Sequence, residues 1–384
     1  MAHCTMMNSN KQLSGNLSNP FNNAYHGKRV LITGHTGFKG SWLSTWLLSL
    51  GASVTGYSLD VPTNPSNFKV LNLVNKLKHV AGDVKDLNHL KQVFDECSPD
   101  IVFHLAAQAI TRLSYEIPQD IFSTNLVGTV NILECIRRSK AVKAAVIITS
   151  DKCYQNVEWL WGYRENDRLG GDDPYSASKA CAEIASNSYI KSFFSEDNSP
   201  KISTARAGNV IGGGDWAADR IVPDCMRAFS KDEPLEIRNP LATRPWQHVL
   251  EPLSGYLWLG SNLLDRNIRA IGESFNFGPL SDVNRTVEEL LSEFTKTLKN
   301  SKWYVSKEGD EVKKECTLLH LNCEKALSYL NWHAVLSFEE TVKITSEWYE
   351  NYYNSADKDM CDFTTKQIDE YRCLAQRRGL IWAM

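Results

Sequence analysis

The sequence predicts an α/β protein: a Rossmann-type doubly wound parallel sheet with a smaller mixed α/β, mainly helical substrate lobe. Three observations lead there. Short apolar, β-branched runs recur through the first half of the chain, separated by segments of helical spacing. A glycine-rich turn joins the first run to the first helix. Polar residues gather at the end of the fifth run, and open parallel sheets bind ligands beyond the carboxyl ends of their strands.

The first run, Arg29-Val30-Leu31-Ile32-Thr33, is a buried strand. Gly34-His35-Thr36-Gly37-Phe38-Lys39-Gly40 follows. Trp42, Leu43, Trp46, Leu47 and Leu50 then fall at helix spacing, and Gly51 suits the position just past a helix end. Such a turn can bring backbone N–H groups and the positive end of a helix against a pyrophosphate. The spacing is G-x-x-G-x-x-G rather than G-x-G-x-x-G, and a tight turn with no ligand would look similar. The strand–glycines–helix context favours dinucleotide binding, with Gly34, Thr36, Gly37, Phe38 and Gly40 as candidate cofactor residues.

The second strand covers residues 53–57. An acid for the adenosine ribose is expected about 20 residues past the glycines. Ser58 holds that place and Asp60 comes two residues later, so either could bind the ribose. No arginine stands nearby to hold a 2′-phosphate, which points to NAD rather than NADP. Residues 80–84 read as a third strand. There Asp83, beside Val84, could meet the adenine amino group or cap the next helix, Leu87–Cys97. The fourth strand, 101–107, ends in Ala106 and Ala107, small enough for close approach of a cofactor, and Gln108 follows. Pro118 opens a long helix to about Arg138, in which Asn125 needs a hydrogen-bond partner if buried. The fifth strand, 145–149, ends in Ser150-Asp151-Lys152.

A loop of aromatics and charges leads to Asp173-Pro174-Tyr175-Ser176-Ala177-Ser178-Lys179, with proline placed to open a helix. Tyr175 and Lys179 are four apart and share a helical face. A phenol has a pKa near 10. A neighbouring ammonium favours the phenolate, which would let the pair move protons at neutral pH.

Lys201–Arg206 reads as a sixth strand, followed by a glycine-rich bend from Ala207 to Asp215. Residues 274–278 look like a further strand. Helices dominate from Val287, and an aromatic one over 338–353 is assigned to the core of the smaller lobe. The expected division is a disordered leader over 1–26, a cofactor domain over 27–208 and a mainly substrate-binding lobe over 209–384. A segment near 274–278, and others, could return to the first domain. The last thirty residues carry no readable chemistry.

A net charge of −3 gives no global basic field for nucleic acid or anionic membrane. No apolar run is long enough to span a bilayer, and residues 1–26 lack the apolar centre of a signal peptide. The ten cysteines form no Cys-x-x-Cys pair, which suggests reduced, cytoplasmic usage with no metal site and no disulfide framework.

Gly34, Gly37, Gly40, Ser150, Tyr175 and Lys179, in this order, resemble the extended short-chain dehydrogenase/reductase family of nucleotide-sugar epimerases, dehydratases and reductases. The resemblance runs from about residue 28 to at least 334. It implies NAD as cofactor, with Ser150 and Tyr175 holding and deprotonating a sugar 4-hydroxyl and Lys179 holding the nicotinamide ribose. Sugar-nucleotide 4,6-dehydratases of this family carry Asp-Glu straight after the catalytic Ser/Thr. Here the pair is Asp151-Lys152, a variant that resembles the CDP-glucose 4,6-dehydratases. So do Glu158-Trp159-Leu160-Trp161-Gly162-Tyr163-Arg164-Glu165 and Thr243-Arg244-Pro245-Trp246-Gln247-His248-Val249-Leu250-Glu251-Pro252-Leu253.

That resemblance implies CDP-glucose as substrate, with a 4-keto-6-deoxy sugar as product. Oxidation at C4 acidifies the C5 proton, water is lost across C5–C6, and hydride returns to C6. Asp151 could protonate the departing 6-hydroxyl. Lys152 could be the base in neutral form, a cation stabilising the enolate, or a simple partner of Asp151. Gln108 and Asn209 are candidate substrate residues, and Arg220 and Arg244 are candidates to clamp the two phosphates, since a guanidinium matches phosphate oxygens bidentately. The helices near Pro118 and Pro174 resemble those that pair in this family, implying a homodimer or homotetramer. A nucleotide-sugar 4-epimerase and a non-catalytic NAD-binding module remain as alternative readings.

Overall fold

The computed structural model describes residues 19–384 apart from 238, 280–282, 299–301, 306–317 and 355–358. Seven parallel strands form its central sheet: β1 (Arg29–Thr33), β2 (Ser53–Ser58), β3 (Lys78–Ala81), β4 (Ile101–His104), β5 (Ala144–Ile148), β6 (Lys201–Arg206) and β7 (Ser274–Asn276). Their order is β7-β6-β5-β4-β1-β2-β3. The chain winds outward from β1 through β2 to β3, then crosses back to β4 beside β1. That reversal opens a crevice beyond the carboxyl ends of β1 and β4. β4 and β5 are buried along their whole length, which explains their unbroken apolar runs.

Two strands stop three residues short of the sequence reading. β3 stops at Ala81 and β4 at His104, so Asp83, Val84, Ala106 and Ala107 lie in the exits rather than in the sheet. The long helix expected from Pro118 to Arg138 forms in three joined pieces. Pro118–Phe122 and Gly128–Arg138 are α-helical, and a π-turn over Ser123–Val127 carries Asn125.

The second half of the chain returns to the sheet more than the expected boundary at 208 implies. β7 is the return expected near 274–278. Helix α3 (Leu250–Leu264) packs on β5 and β6 and is buried almost throughout, so it belongs to the nucleotide-binding layer. Helix α5 (Met360–Arg377) packs against α1 (Phe38–Ser49). Between these segments lie short strand pairs, among them Val210–Ile211 with Gln247–His248 and Thr243–Arg244 with Arg285–Thr286, and the aromatic helix α4 (Phe338–Asn354). α4 does form core, as expected: Trp348 and Tyr349 are buried, and Trp348 lies against Gly213.

The reading of residues 1–26 as a disordered leader is corrected for 20–26; residues 1–18 lie outside the described residues. Phe21 is buried and stacks on Trp382, ring centroids 5.1 Å apart, with Trp46 edge-on. Tyr25 Oη donates to Leu257 O at 2.5 Å. Burying two large aromatics outweighs the cost of ordering a short polar segment.

Candidate active site

The glycine turn is shaped first by packing. Gly34 has φ +77°, and a Cβ there would sit 2.8 Å from Ala106 N; a Cβ on Gly40 would run into Gly34 O. Neither position tolerates a side chain, because β1, β4 and α1 converge here. Gly37 is different: a Cβ would meet only Gly34 O, at 3.4 Å. It precedes α1, whose N-terminus has no side-chain cap and no acid in its first turn. Uncapped N–H groups and the positive helix end therefore face the crevice at the one glycine that packing does not explain. The turn fits a dinucleotide pyrophosphate.

Thr36 Oγ1 and Ser58 Oγ are 2.8 Å apart, which ties the end of β2 to this turn. Ser58 is buried there, whereas Asp60 is exposed two residues further on. Asp86, not Asp83, caps the helix Leu87–Cys97. Asp83 stays at the exit of β3, where its Oδ1 accepts Lys85 N–H at 2.9 Å. Val84 is buried against Gly128. At the exit of β4, Asn125 finds the partners a buried amide requires. Its Oδ1 accepts Gln108 N–H at 2.9 Å, and its Nδ2 donates to Gln108 O at 3.1 Å and Ser178 Oγ at 2.8 Å. Asn125 thus pins Ala106–Ala107–Gln108 to α2 (Pro174–Phe193).

α2 begins as its sequence dictates, with Asp173 accepting Ser176 N–H and Pro174 at the first helical position. Tyr175, Lys179 and Glu183 follow at four-residue intervals and are all buried. Opposite them, Ser150 opens a 3-10 turn, Asp151–Cys153. Ser150 Oγ accepts Lys152 N–H at 3.2 Å and donates to Asp151 Oδ1 at 2.9 Å. Burial pushes the Tyr175 phenol up to about 12, with the Ser150 bond pulling the other way. Lys179 is not among the leading influences on the phenol, and burial prevails because a charged phenolate loses more by leaving water than it recovers from its neighbours. Burial also lowers Lys179, to about 8.

A buried ion pair holds this face in place. Arg206 Nη2 lies 2.8 Å from Glu183 Oε2, and Thr204 Oγ1 donates to the same oxygen at 2.8 Å; Thr149 donates to Oε1. Arg206 Nη1 goes on to Tyr154 Oη at 2.6 Å, and Tyr154 Oη to Asn276 Oδ1 at 2.8 Å. Against the cost of burial, Arg206 holds the Glu183 carboxyl below its usual range.

From the bend after β6, Arg220 pairs with Asp215 at 2.9 Å, and its charge reaches Tyr175. Asn209 has φ +52° and its carbonyl accepts Gln247 N–H at 3.2 Å. Arg244 stands on the Thr243–Arg244 strand, paired with Arg285 across it, with its Nη1 donating to Thr243 O at 2.8 Å. Lys152 is half-buried, and among the described residues it makes no ion pair with Asp151, so the simple-partner role loses its basis. Among the described residues no cluster suited to a metal ion occurs.

Sequence reasoning missed Lys39, Asp215, Gly208, Glu183 and Arg206. Lys39 is the last variable residue of the glycine turn. Burial and Arg220 lower its ammonium to about 8, against the pull of Asp151 and Asp215. A lone lysine among apolar residues at the start of a buried helix was the available signal.

A parallel Rossmann sheet whose crevice gathers Ser150, Tyr175 and Lys179 defines an extended short-chain dehydrogenase/reductase. Residues 31–345 match the family model described as GDP-mannose 4,6 dehydratase, and the chain belongs to that family. It is 44% identical, over 92% of its length and 99% of the relative, to CDP-glucose 4,6-dehydratase of Salmonella typhimurium. It is 26% identical to dTDP-glucose 4,6-dehydratase of Haemophilus influenzae, over 83% of this chain and 97% of that one. Among solved structures, the epimerase Mth375 of Methanothermobacter thermautotrophicus superposes with a TM-score of 0.73 at 25% identity, covering 91% of this chain and 97% of that chain.

Proposed function

We infer that the protein is an NAD-dependent CDP-glucose 4,6-dehydratase, a hydro-lyase that yields CDP-4-keto-6-deoxy-D-glucose. The observation that carries this reading is the Asp151 carboxylate, hydrogen-bonded by Ser150 inside the Tyr175 centre. A 4-epimerase has no use for an acid beside the C4 machinery, whereas a dehydratase needs one for the departing 6-hydroxyl. The 44% identity to a CDP-glucose 4,6-dehydratase supports both the reaction and the nucleotide.

The glycine turn, Thr36 and Ser58 hold the cofactor, with Asp83, Val84, Ala106 and Ala107 lining its adenine and nicotinamide sides. NAD supplies the hydride acceptor at C4 and the hydride donor at C6. Lys179 holds the nicotinamide ribose. Tyr175 takes the O4 proton and Ser150 steadies that oxygen. Asp151 protonates O6, and Lys152, beside it, accepts the C5 proton. Gln108 and Asn209 contact the sugar diphosphate, and Arg220 with Arg244 balances its charge. Exposed Val127, Ile184 and Phe193, near or on the paired helices, support assembly as a homodimer or homotetramer. No helix among the described residues is long and apolar enough to cross a membrane, which is compatible with a cytoplasmic enzyme.

Incubation with CDP-glucose in D2O, followed by NMR of the sugar, tests the reading. A 4-keto-6-deoxy product carrying deuterium at C5 is expected. Formation of CDP-galactose would replace the dehydratase with an epimerase, and no change with any nucleotide sugar would leave a binding module.

A further inference from the structure

Helices α4 and α5 are tied together by two bonds. Trp348 Nε1 donates to Thr364 Oγ1 at 2.9 Å, and Gln367 Nε2 donates to Ile344 O at 2.9 Å. Beside these ties lies a cavity of about 400 Å³. From α4 it is lined by Glu347, Glu350 and Asn351, whose spacing puts them on one helical face. From α5 come Phe363, Lys366, Gln367 and Glu370, at the same kind of spacing. Stripes that face each other between packed helices are ordinarily apolar. Here they carry mostly hydrogen-bond acceptors.

The charges of this cavity are unbalanced. The carboxylates of Glu347, Glu350 and Glu370 line it against the single ammonium of Lys366, which pairs with Asp362 at 3.1 Å. Lys343 comes only to 3.8 Å from Glu347. Burial pushes the Glu347 carboxyl up; Lys343 pulls against this, and Glu370 and Glu350 add to the rise. Its amides are also incompletely bonded. Gln367 is 3% exposed, and with Nε2 committed to Ile344 its Oε1 has no partner among the described residues. Asn351 Oδ1 is buried and without a partner there as well. Buried amide oxygens need donors, and neighbouring carboxylates need a positive charge.

A primary ammonium supplies both, with three N–H donors and no acceptor. A bare metal ion fits less well. It draws its oxygens to within about 2.6 Å of one point, and among the described residues no cluster suited to a metal ion occurs. The acceptors here are instead spread over two helices, as the charges of an aliphatic polyamine are spread along its chain, and the Phe363 ring offers a face for a cation or its methylenes. We propose that the cavity between α4 and α5 binds an aliphatic diamine or polyamine, with its ammonium groups on Glu350, Glu370 and the amide oxygens of Asn351 and Gln367. None of these residues belongs to the catalytic crevice, so the proposal stands apart from the dehydratase reading. A bound polyamine bridges the two helices and stabilises the folded chain, since the unfolded chain has no such cavity.

Calorimetric titration of the full chain with spermidine at physiological salt, alongside thermal melts, tests this. Binding of one spermidine per chain is expected, with a rise in Tm that saturates. Glu350→Gln and Glu370→Gln keep the size of the side chain and should each weaken spermidine about tenfold, the weight of one charge-assisted bond. Lys366→Met removes the competing ammonium and should tighten it. Glu233→Gln, at an exposed site elsewhere, loses the same charge and should change nothing. Circular dichroism establishes that each variant is folded. Absence of both binding heat and a Tm shift would overturn the proposal. So would equal weakening by Glu233→Gln, which would mean attraction by net charge alone. Magnesium that displaced spermidine at equal concentration would overturn the ammonium assignment in favour of a divalent ion.

Discussion

Gly208 lies so close to Asp151 that a methyl group at position 208 would occupy the place of the Asp151 carboxylate. Gly208, in the bend after β6, therefore fixes where the Asp151 carboxylate can sit, and in the proposed mechanism it shapes the site without contributing an atom of chemistry. Gly208→Ala should fold and bind NAD but push Asp151 out of line. A displacement of ~1 Å costs on the order of a hundredfold in rate. Turnover of CDP-glucose alongside an NAD titration checks this; an unchanged kcat would mean that the position of Asp151 is immaterial.

Glu183 and Arg206 form the other fixed relationship, each 2% exposed and bridged at 2.8 Å. Glu183→Gln leaves a guanidinium buried without its counter-charge, which costs about 3–5 kcal/mol of stability. The double change Glu183→Leu with Arg206→Met should cost less than either single change, since the desolvated charges vanish together. Chemical denaturation of the three variants measures it. A double variant less stable than both singles would place the value of the pair in the bonds that Arg206 sends to Tyr154.

Glu251 gives the fold a pH dependence. Its carboxyl accepts the N–H groups of Val335 and Leu336 at 2.6–2.9 Å and Tyr371 Oη at 2.9 Å, yet burial pushes it up to about 7 from an ordinary 4.5. The folded state thus holds this proton more tightly than the unfolded chain. The contribution is fully present below about pH 4.5 and is lost as pH rises through about 7, at roughly 1.4 kcal/mol per unit. Glu251→Gln lacks this term. The lead in Tm of the native protein over Glu251→Gln should be larger at pH 5 than at pH 8; a lead that grows with pH would reverse the assignment.

The parts legible in the sequence are those that act locally. The strand–glycines–helix unit, the Tyr175–Lys179 interval and the Ser150-Asp151-Lys152 string each lie within a few turns of chain, so spacing alone reveals them. Glu183 meets Arg206 from a different element, and Asp151 meets Gly208 across the sheet exits. No periodicity in either segment encodes such a meeting. Phe21 was lost in a polar leader for the same reason: the ring it stacks on, Trp382, arrives at the other end of the chain. The Tyr175 pKa was misjudged because sequence names the charged neighbour but not the depth of burial, and burial is the larger influence.

Lys152 is where the dehydratase chemistry of this chain is most open to a decisive experiment. Elimination needs an acceptor for the C5 proton. In the proposed mechanism Tyr175 serves O4 and Asp151 serves O6, and Lys152, next to Asp151, is the remaining group at the turn. A lysine can serve as the acceptor only when neutral. Lys152→Arg keeps the charge but cannot lose a proton at neutral pH, and Lys152→Met loses both. If Lys152 is the base, both variants should reduce nicotinamide on CDP-glucose and then stall, with C5 deuterium exchange in D2O falling by at least about a hundredfold, the upper range of a single acid–base contribution. If instead its charge stabilises the enolate, Lys152→Arg should keep turning over while Lys152→Met stalls. Stopped-flow absorbance with NMR of the quenched sugar separates the two, because only a missing base holds Lys152→Arg at the ketone.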